Sequence, residues 1–260
     1  MKPESITKII ALILLGIVLF TGTSYPVTNQ TAELMKRGNE LYQQKQYKKA
    51  VETYKDIINM GYEGTSLYYN LGNAYYREGE IGYAILYYEK ALRLSPGDAD
   101  VQHNLLIANT KTVDKIETIP TFFLFQWWES LLALLSINGW TYTAYIFYLL
   151  LLLSIGLYFF AKKARLQRYA FFGGLSTLLL MIITLTLLII NLNRELNVKK
   201  AIVIAPTVTV KLSPDPSSND AFIIHEGLKL REEDHVDNWV KIRLSDGKEG
   251  WLPANTISTI

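Results

Sequence analysis

The sequence lacks cysteine and has little of the chemistry that catalytic and metal sites require. Its 260 residues include three histidines, His103, His225 and His235, and none lies near another at a metal-ligand spacing. The missing thiols exclude a disulfide framework, a zinc ribbon and a cysteine nucleophile. We therefore expect no catalytic residue, no metal site and no cofactor, and we predict that the protein is not an enzyme.

Charged residues are also scarce, at 19% of the chain, and the 26 basic and 24 acidic residues leave a net charge of only +2. This balance argues against a nucleic-acid partner, which selects a strongly basic surface. Half of the residues are hydrophobic. Because they are concentrated in three long runs, the composition indicates a membrane protein whose first partner is the lipid bilayer.

The first apolar run, residues 9–20, has the features of an export signal. It follows Lys2 and Lys8 and precedes the small residues Gly22 and Ser24. Twelve apolar residues are too few to span a bilayer comfortably, so we predict a signal peptide over residues 1–24. An uncleaved signal anchor is the alternative, and it predicts the same topology for the rest of the chain.

The second and third runs, 140–160 and 170–190, are predicted transmembrane helices. Each has 21 residues without a charge, which at about 1.5 Å per residue matches a hydrocarbon core of about 30 Å. The absence of titratable groups favours an anchor over a transporter. The loop between them, 161–169, is predicted to be cytoplasmic by the positive-inside rule, which places both flanking regions outside the cytoplasm. Its basic residues are Lys162, Lys163, Arg165 and Arg168.

The segment 121–138 is apolar but interrupted by Glu129, and it contains Trp127 and Trp128. Tryptophan is typical of the membrane interface, so we predict a helix lying on the outer leaflet. A helix packed on the neighbouring domain is the alternative.

Residues 31–98 repeat with a period of 34. This period and the helix-turn-helix periodicity resemble tetratricopeptide repeats, predicted at 31–64 and 65–98, with a capping helix at 99–116. The identities are Gly38 with Gly72, Asn39 with Asn73, Tyr42 with Tyr76, Ala50 with Ala84, and Tyr54 with Tyr88.

The resemblance to these repeats implies peptide binding on a concave face formed by the first helix of each repeat. Met35 and His103 stand where the carboxylate clamp of the family has lysines, so recognition of a C-terminal carboxylate is not expected. The residues that the register places on this face are Met35, Asn39, Tyr42, Tyr69, Asn73 and Tyr76.

The C-terminal region, 199–260, consists of short alternating segments with a hairpin signal at Asp246-Gly247. Alternation predicts that Trp239 lies on the face opposite the core and is partly exposed. The run NWVKIRLSDGKEGWLPANTI resembles a bacterial SH3-like domain, and Thr256 stands where a polyproline groove has a tyrosine. The resemblance implies a protein or cell-wall ligand at a groove formed by Trp239, Trp251, Pro253 and Asn255.

The whole architecture resembles the BatE family of the Bacteroides aerotolerance operon, most particularly in DKIETIPTFFLFQWWESLLALLS and AIVIAPTVTVKLSPD. The resemblance implies a membrane complex with von Willebrand factor A-type Bat proteins and a MoxR-type ATPase, linked to oxidative or envelope stress tolerance.

The predicted fold class is a multidomain membrane protein with an all-α tetratricopeptide repeat domain, two transmembrane helices and a small all-β SH3-like barrel. The predicted function is a non-enzymatic inner-membrane scaffold that presents both modules on the periplasmic side, where a shared anchor raises their effective concentration. The alternatives are a peptidoglycan-binding sensor acting through the SH3-like domain and a cell-wall enzyme. An enzyme requires paired carboxylates or a catalytic triad, and the acidic run 232–234 is instead expected to be a solvated loop.

Overall fold

The computed structural model describes residues 29–115 and 122–260, and the predicted signal peptide lies outside these residues. The predicted fold class is confirmed: repeat helices, two long apolar helices and a C-terminal antiparallel sheet follow one another along the chain. The chain divides into two compact units, one containing residues 137–192 and the other containing residues 27–136 and 193–260.

The repeat region consists of two helix pairs and one additional helix. Small residues allow the helices of a pair to approach closely, because a Cβ on Gly38 would lie 2.4 Å from the Tyr54 ring and one on Gly72 would lie 2.7 Å from the Tyr88 ring. Both tyrosines are 1% exposed, so each fills the space that the glycine leaves. The helices are α1 (Asn29–Gln43), α2 (Tyr47–Asn59), α3 (Thr65–Glu78), α4 (Ile81–Leu94) and α5 (Ala99–Thr110).

Helix α5 covers the apolar edge that the second pair would otherwise expose. The Asp98 side chain caps it by accepting hydrogen bonds from the main-chain N–H groups of Asp100 and Val101, at 3.1 and 3.2 Å. Val101 and Ala108 are buried against the repeats. Helix α5 therefore occupies the position of the first helix of a further repeat, which matters for the groove described below.

Among residues 29–115 and 122–260, two helices are long and apolar enough to cross a membrane, α7 (Ile137–Phe160) and α8 (Ala164–Asn197). They approach closely where a Cβ on Gly174 would lie 3.3 Å from the Cβ of Ser154. The predicted loop boundary is wrong at its C-terminal end, because α8 begins at Ala164 and includes Arg165 and Arg168. The prediction used hydropathy, which locates only the apolar part of a helix. The helix itself can extend through basic residues, because long basic side chains reach the polar surface of a membrane.

The apolar segment that precedes α7 forms helix α6 (Phe123–Leu132). The Glu129 carboxylate of α6 accepts two hydrogen bonds from the Arg194 guanidinium, at 2.7 and 2.9 Å, a bidentate geometry that fixes orientation. Its large apolar side chains from Phe122 to Phe125, together with Trp127, are more than half exposed. The placement of this face on the outer leaflet remains a prediction.

The C-terminal region is a seven-stranded antiparallel sheet in the order β3-β2-β6-β5-β4-β1-β7. Its alternation is as predicted, since Val240, Ile242 and Leu244 are buried and Trp239 is partly exposed. The strands are β1 (Lys200–Val203), β2 (Thr207–Lys211), β3 (Asp220–His225), β4 (Lys229–Val236), β5 (Trp239–Arg243), β6 (Glu249–Pro253) and β7 (Ile257–Thr259).

The sheet packs directly on the repeat helices through β1. Ala201 and Val203 face the core of the sheet, whereas Ile202, which points to the opposite side, is 0% exposed and belongs to the core of the repeats. A strand buried on both faces contributes to two cores at once. The repeats and the sheet therefore form one unit. The expectation of two independent modules on a shared anchor is wrong in this respect.

Polar contacts surround this apolar interface. The carboxylate of Glu226 accepts a hydrogen bond from the Gly82 N–H at 3.1 Å, near the start of α4. Lys229 forms an ion pair with Glu89 at 2.6 Å. His225 contacts Asp114 twice, donating its main-chain N–H at 2.6 Å and placing Nδ1 3.0 Å from the other carboxylate oxygen.

A substitution of Gly82 tests the packing of the sheet on the repeats. A Cβ at this position would lie 2.8 Å from the main-chain oxygen of Val203, which cannot move without displacing β1. We expect Gly82→Ala to cost about 1–3 kcal/mol and to lower the melting temperature of the full-length protein in detergent by about 3–10 °C. The control is Gly97→Ala, whose Cβ would meet nothing within 4 Å. Equal melting temperatures for the two variants would contradict the close contact.

Candidate binding surfaces

A recess of about 250 Å³ lies between α1 and α3, the first helices of the two repeats. Tyr54 of α2 closes its floor. Three of the residues predicted from the sequence line the recess, and three others were not predicted. The lining residues are Asn39, Tyr42, Gln43, Tyr54, Asn70 and Asn73.

An asparagine pair spans the recess. Asn39 Oδ1 accepts a hydrogen bond from the Tyr54 hydroxyl at 2.7 Å and another from Asn70 Nδ2 at 2.9 Å. Both acceptor sites of the Asn39 oxygen are thus occupied, which fixes the orientation of its amide. Within the part of the chain that the structure describes, Asn39 Nδ2 has no acceptor and Asn70 Oδ1 has no donor.

The same arrangement recurs one repeat further along the chain. Asn73 Oδ1 accepts from the Tyr88 hydroxyl at 2.7 Å and from Asn104 Nδ2 at 2.8 Å. Asn104 lies on α5 and also donates to the Tyr69 hydroxyl at 3.0 Å. The capping helix therefore completes a second asparagine pair, in addition to covering the apolar edge.

Each asparagine pair offers the amide NH2 group of one asparagine as donor and the carbonyl oxygen of the other as acceptor. A peptide unit carries the complementary groups, one C=O acceptor and one N–H donor. Two such pairs at successive repeats form a surface suited to the main chain of an extended peptide. This geometry gives the chemical basis for treating the recess and its continuation as a peptide groove.

The asparagines Asn70 and Asn104 were missed by sequence reasoning. They stand 34 residues apart, in register with the repeat, but the corresponding residue of the first repeat is Lys36. The comparison of the two repeats therefore showed no identity at this position. Extending the 34-residue period into residues 99–116 would have matched Asn70 with Asn104.

Three of the predicted groove residues, Met35, Tyr69 and Tyr76, are not among the residues that line the recess. All three are partly buried and pack against the repeat core. Tyr69 lies near the second asparagine pair because its hydroxyl accepts the hydrogen bond from Asn104. Only Tyr42 among the predicted tyrosines contributes directly to the recess.

The buried tyrosines act as neutral hydrogen-bond donors. Burial, followed by the proximity of Tyr42, raises the pKa of Tyr54 to about 12. Burial also raises the pKa of Tyr88 above its ordinary value. Both hydroxyls consequently stay protonated near neutral pH and keep the asparagine oxygens occupied.

The outer face of the sheet carries the second predicted group. Trp239 pairs with Pro253 in the β5–β6 ladder, and Trp251 pairs with Lys241. Alternation places Trp239, Trp251 and Pro253 on the same face, and all three are partly exposed. Asn255 is exposed in the short 3-10 turn Ala254–Thr256 that follows β6.

Charged residues on this face neutralise one another. Lys241 lies 2.8 Å from Glu249 and 3.6 Å from Glu233, and Arg243 pairs with the same two carboxylates. The hydrogen bond from Arg243 lowers the pKa of Glu233. The aromatic side chains thus lie beside a charge-compensated network.

The acidic run 232–234 was wrongly expected to be a loop, since it lies in β4. The Glu232 side chain is 5% exposed and contacts the Thr259 hydroxyl at 3.0 Å. Cross-strand pairing with basic and hydroxyl side chains makes these carboxylates compatible with a strand. Within residues 29–115 and 122–260, no group of three or more His, Asp and Glu side chains is placed to hold a metal ion.

Comparison with known families identifies a tetratricopeptide repeat at residues 66–98. This match covers α4 and nearly all of α3, the helices that carry Asn70, Asn73 and Tyr88. A search of curated proteins gave no match for this chain. The repeat indicates a protein-interaction module, and the two apolar helices indicate association with a lipid bilayer.

A double-mutant cycle tests the hydrogen bond that holds the second asparagine pair. Asn73→Leu leaves the Tyr88 hydroxyl buried without its partner, and we expect a cost of about 1–3 kcal/mol in unfolding free energy. Tyr88→Phe in the same chain removes the unpaired group, so the double variant should recover part of this loss. The measurement is urea unfolding of the full-length protein in detergent. Strictly additive losses would show that the hydroxyl does not depend on Asn73.

Proposed function

We propose that this protein is a non-enzymatic membrane scaffold whose repeat groove binds an extended peptide segment of a partner protein. The observation that carries the proposal is the pair of fixed asparagines, repeated at two successive positions. Each pair keeps one amide NH2 group and one amide oxygen free of internal partners, and these groups complement the C=O and N–H of a peptide unit. The tetratricopeptide repeat at residues 66–98 supports the same interpretation.

We place both modules on the periplasmic side of the inner membrane. The packing of β1 on the repeat core supports a common side, because segments in direct contact cannot lie across a bilayer from each other. Two membrane helices between them are consistent with this placement. The basic residues Lys162, Lys163, Arg165 and Arg168 favour a cytoplasmic position for the turn between the helices.

We further propose membership of the BatE family, with von Willebrand factor A-type Bat proteins as partners in oxidative or envelope stress tolerance. The order of repeats, membrane helices and C-terminal sheet supports this proposal, together with the sequence stretches quoted above. The partner would engage one rigid unit because the repeats and the sheet share the strand β1.

The proposed topology can be tested by reporter fusions after Gln30, Leu166 and Ile260. We expect a reporter that is active only in the cytoplasm to work at Leu166, and a reporter that requires export to work at Gln30 and Ile260. The physical reason is the cost of moving four clustered basic residues across the membrane. The control replaces these four residues by glutamine, which should weaken the orientation preference. Cytoplasmic activity at Ile260 would contradict the topology.

Affinity purification from gently solubilised membranes tests the groove as the site of partner binding. We expect Tyr42→Ala, which removes an aromatic wall of the recess, to reduce partner recovery by about tenfold or more, as truncation of a buried interface tyrosine does. The matched variant Trp239→Ala removes an aromatic side chain from the outer face of the sheet. The proposed groove predicts that only Tyr42→Ala affects recovery, measured by quantitative mass spectrometry.

Loss with Trp239→Ala alone would instead favour binding through the sheet. Peptidoglycan is the second candidate ligand, and a specific observation favours its glycan strands. Trp239 and Trp251 are partly exposed on a face whose charges are mutually compensated, which suits uncharged sugar rings that pack on aromatic side chains. Cosedimentation of the full-length protein with purified cell wall, with and without Trp239→Ala, separates this candidate from a protein partner.

A further inference from the structure

The groove has a cation at its edge that no sequence motif indicated. Arg77 lies in the last turn of α3, on the same helical face as Asn70 and Asn73, seven and four residues before it. Its guanidinium carbon lies 5.8 Å from the centre of the Tyr47 ring. The Tyr47 ring packs edge-on against Tyr42 at 5.3 Å between ring centres, and Tyr42 lines the recess.

These two tyrosines hold the guanidinium beside the recess. A cation over an aromatic face is attracted by the ring quadrupole. The interactions with Tyr47 and then Tyr42 raise the pKa of Arg77. Arg77 is therefore a permanent positive charge whose position is partly fixed before any ligand arrives.

No carboxylate of the described residues lies within ion-pair distance of Arg77. Other basic residues of the repeats, such as Lys55, are also unpaired, but Arg77 differs from Lys55 because it lies beside the recess. Two cations of the repeats do have carboxylate partners. Lys36 lies 3.9 Å from Glu40, and Arg93 lies 3.7 Å from Glu63. The charge of Arg77 is thus left uncompensated, beside an array of amide groups that suits a peptide main chain.

We infer that the groove binds a peptide segment with an acidic side chain, whose carboxylate pairs with Arg77 while the asparagine pairs hold its main chain. This inference rests on the proposed function of the groove. Along the α3 axis, Arg77 lies about 6 Å beyond Asn73, to one side of a peptide that contacts both asparagine pairs. The acidic side chain should therefore belong to a residue at or next to the peptide unit held by the second asparagine pair.

The acidic group is assigned to a side chain and not to a chain terminus. The asparagine pair at Asn39 and Asn70 is followed by a second pair at Asn73 and Asn104. A ligand that contacts both pairs continues along the groove past the first. The carboxylate that meets Arg77 then belongs to a residue within the segment.

An array of synthetic peptides tests the inference. The probe is a set of 12-residue peptides, acetylated and amidated to remove terminal charges, in matched pairs that differ by Glu or Gln at each position in turn. Labelled full-length protein in lipid nanodiscs is applied at low salt. We expect Glu peptides to bind about threefold more strongly than their Gln partners, the size typical of an exposed ion pair. The ratio should decrease at high salt.

Variants assign the preference to Arg77. Arg77→Gln should bring the Glu-to-Gln ratio close to one, while Arg77→Lys should retain part of it because the charge remains. The matched control is Lys55→Gln, which removes one exposed positive charge from α2 outside the recess and should leave the ratio unchanged.

Each of the following results would contradict one part of the proposal. Binding without a Glu preference would overturn the inference and leave the peptide groove intact. An unchanged preference in Arg77→Gln would overturn the assignment to this residue. Binding of a non-amidated copy of the array, without a Glu preference in the amidated one, would overturn the assignment to a side chain. Failure of all peptides to bind would overturn the proposed function together with the inference.

Discussion

The burial of Ile202 against the repeat helices is the contact on which the rest of the architecture depends. It joins a strand near the C-terminal end of the chain to helices that precede the apolar segments. Since the repeats and the sheet touch, they share one side of any membrane that the intervening helices cross. The number of crossings between them must then be even, which agrees with the two apolar helices α7 and α8. This contact constrains the repeats and the sheet to a common side, whereas loop charge bears on which side that is.

The chemistry of the groove depends on a buried layer beneath it. Tyr54 and Tyr88 are almost fully buried and need an acceptor for their hydroxyls. The side-chain oxygens of Asn39 and Asn73 are these acceptors. This fixes the orientation of each amide and leaves its nitrogen available to donate to a ligand. The glycines under the tyrosine rings are therefore part of the same device, because a side chain there would displace the ring and its hydroxyl. Packing and recognition are linked in this repeat through single residues.

Sequence reasoning succeeded where a local pattern determines structure. The 34-residue period located the repeat helices, and strict alternation identified the buried residues Val240 and Ile242 of β5. It failed where an interaction joins distant segments, since Ile202 reads as an ordinary strand residue and nothing nearby shows that its second face is covered. Asn70 was missed because its partner Asn39 lies 31 residues away, in a different repeat. The boundary of α8 was misplaced because helical geometry persists beyond the apolar residues that mark a membrane span.

The packing of the sheet on the repeats changes how the proposed scaffold would bind a partner. Two flexibly tethered modules bind a common partner through a raised effective concentration, and the partner needs no defined geometry. Here α4 packs against β1 and also carries Tyr88, whose hydroxyl holds Asn73 of the groove. The groove and the sheet therefore keep a fixed separation. A partner that engages both surfaces must match that separation, and one that does not gains nothing from the second contact. Because β1 fixes the distance between the two surfaces, only a partner whose own binding sites match that distance would gain affinity from contacting both.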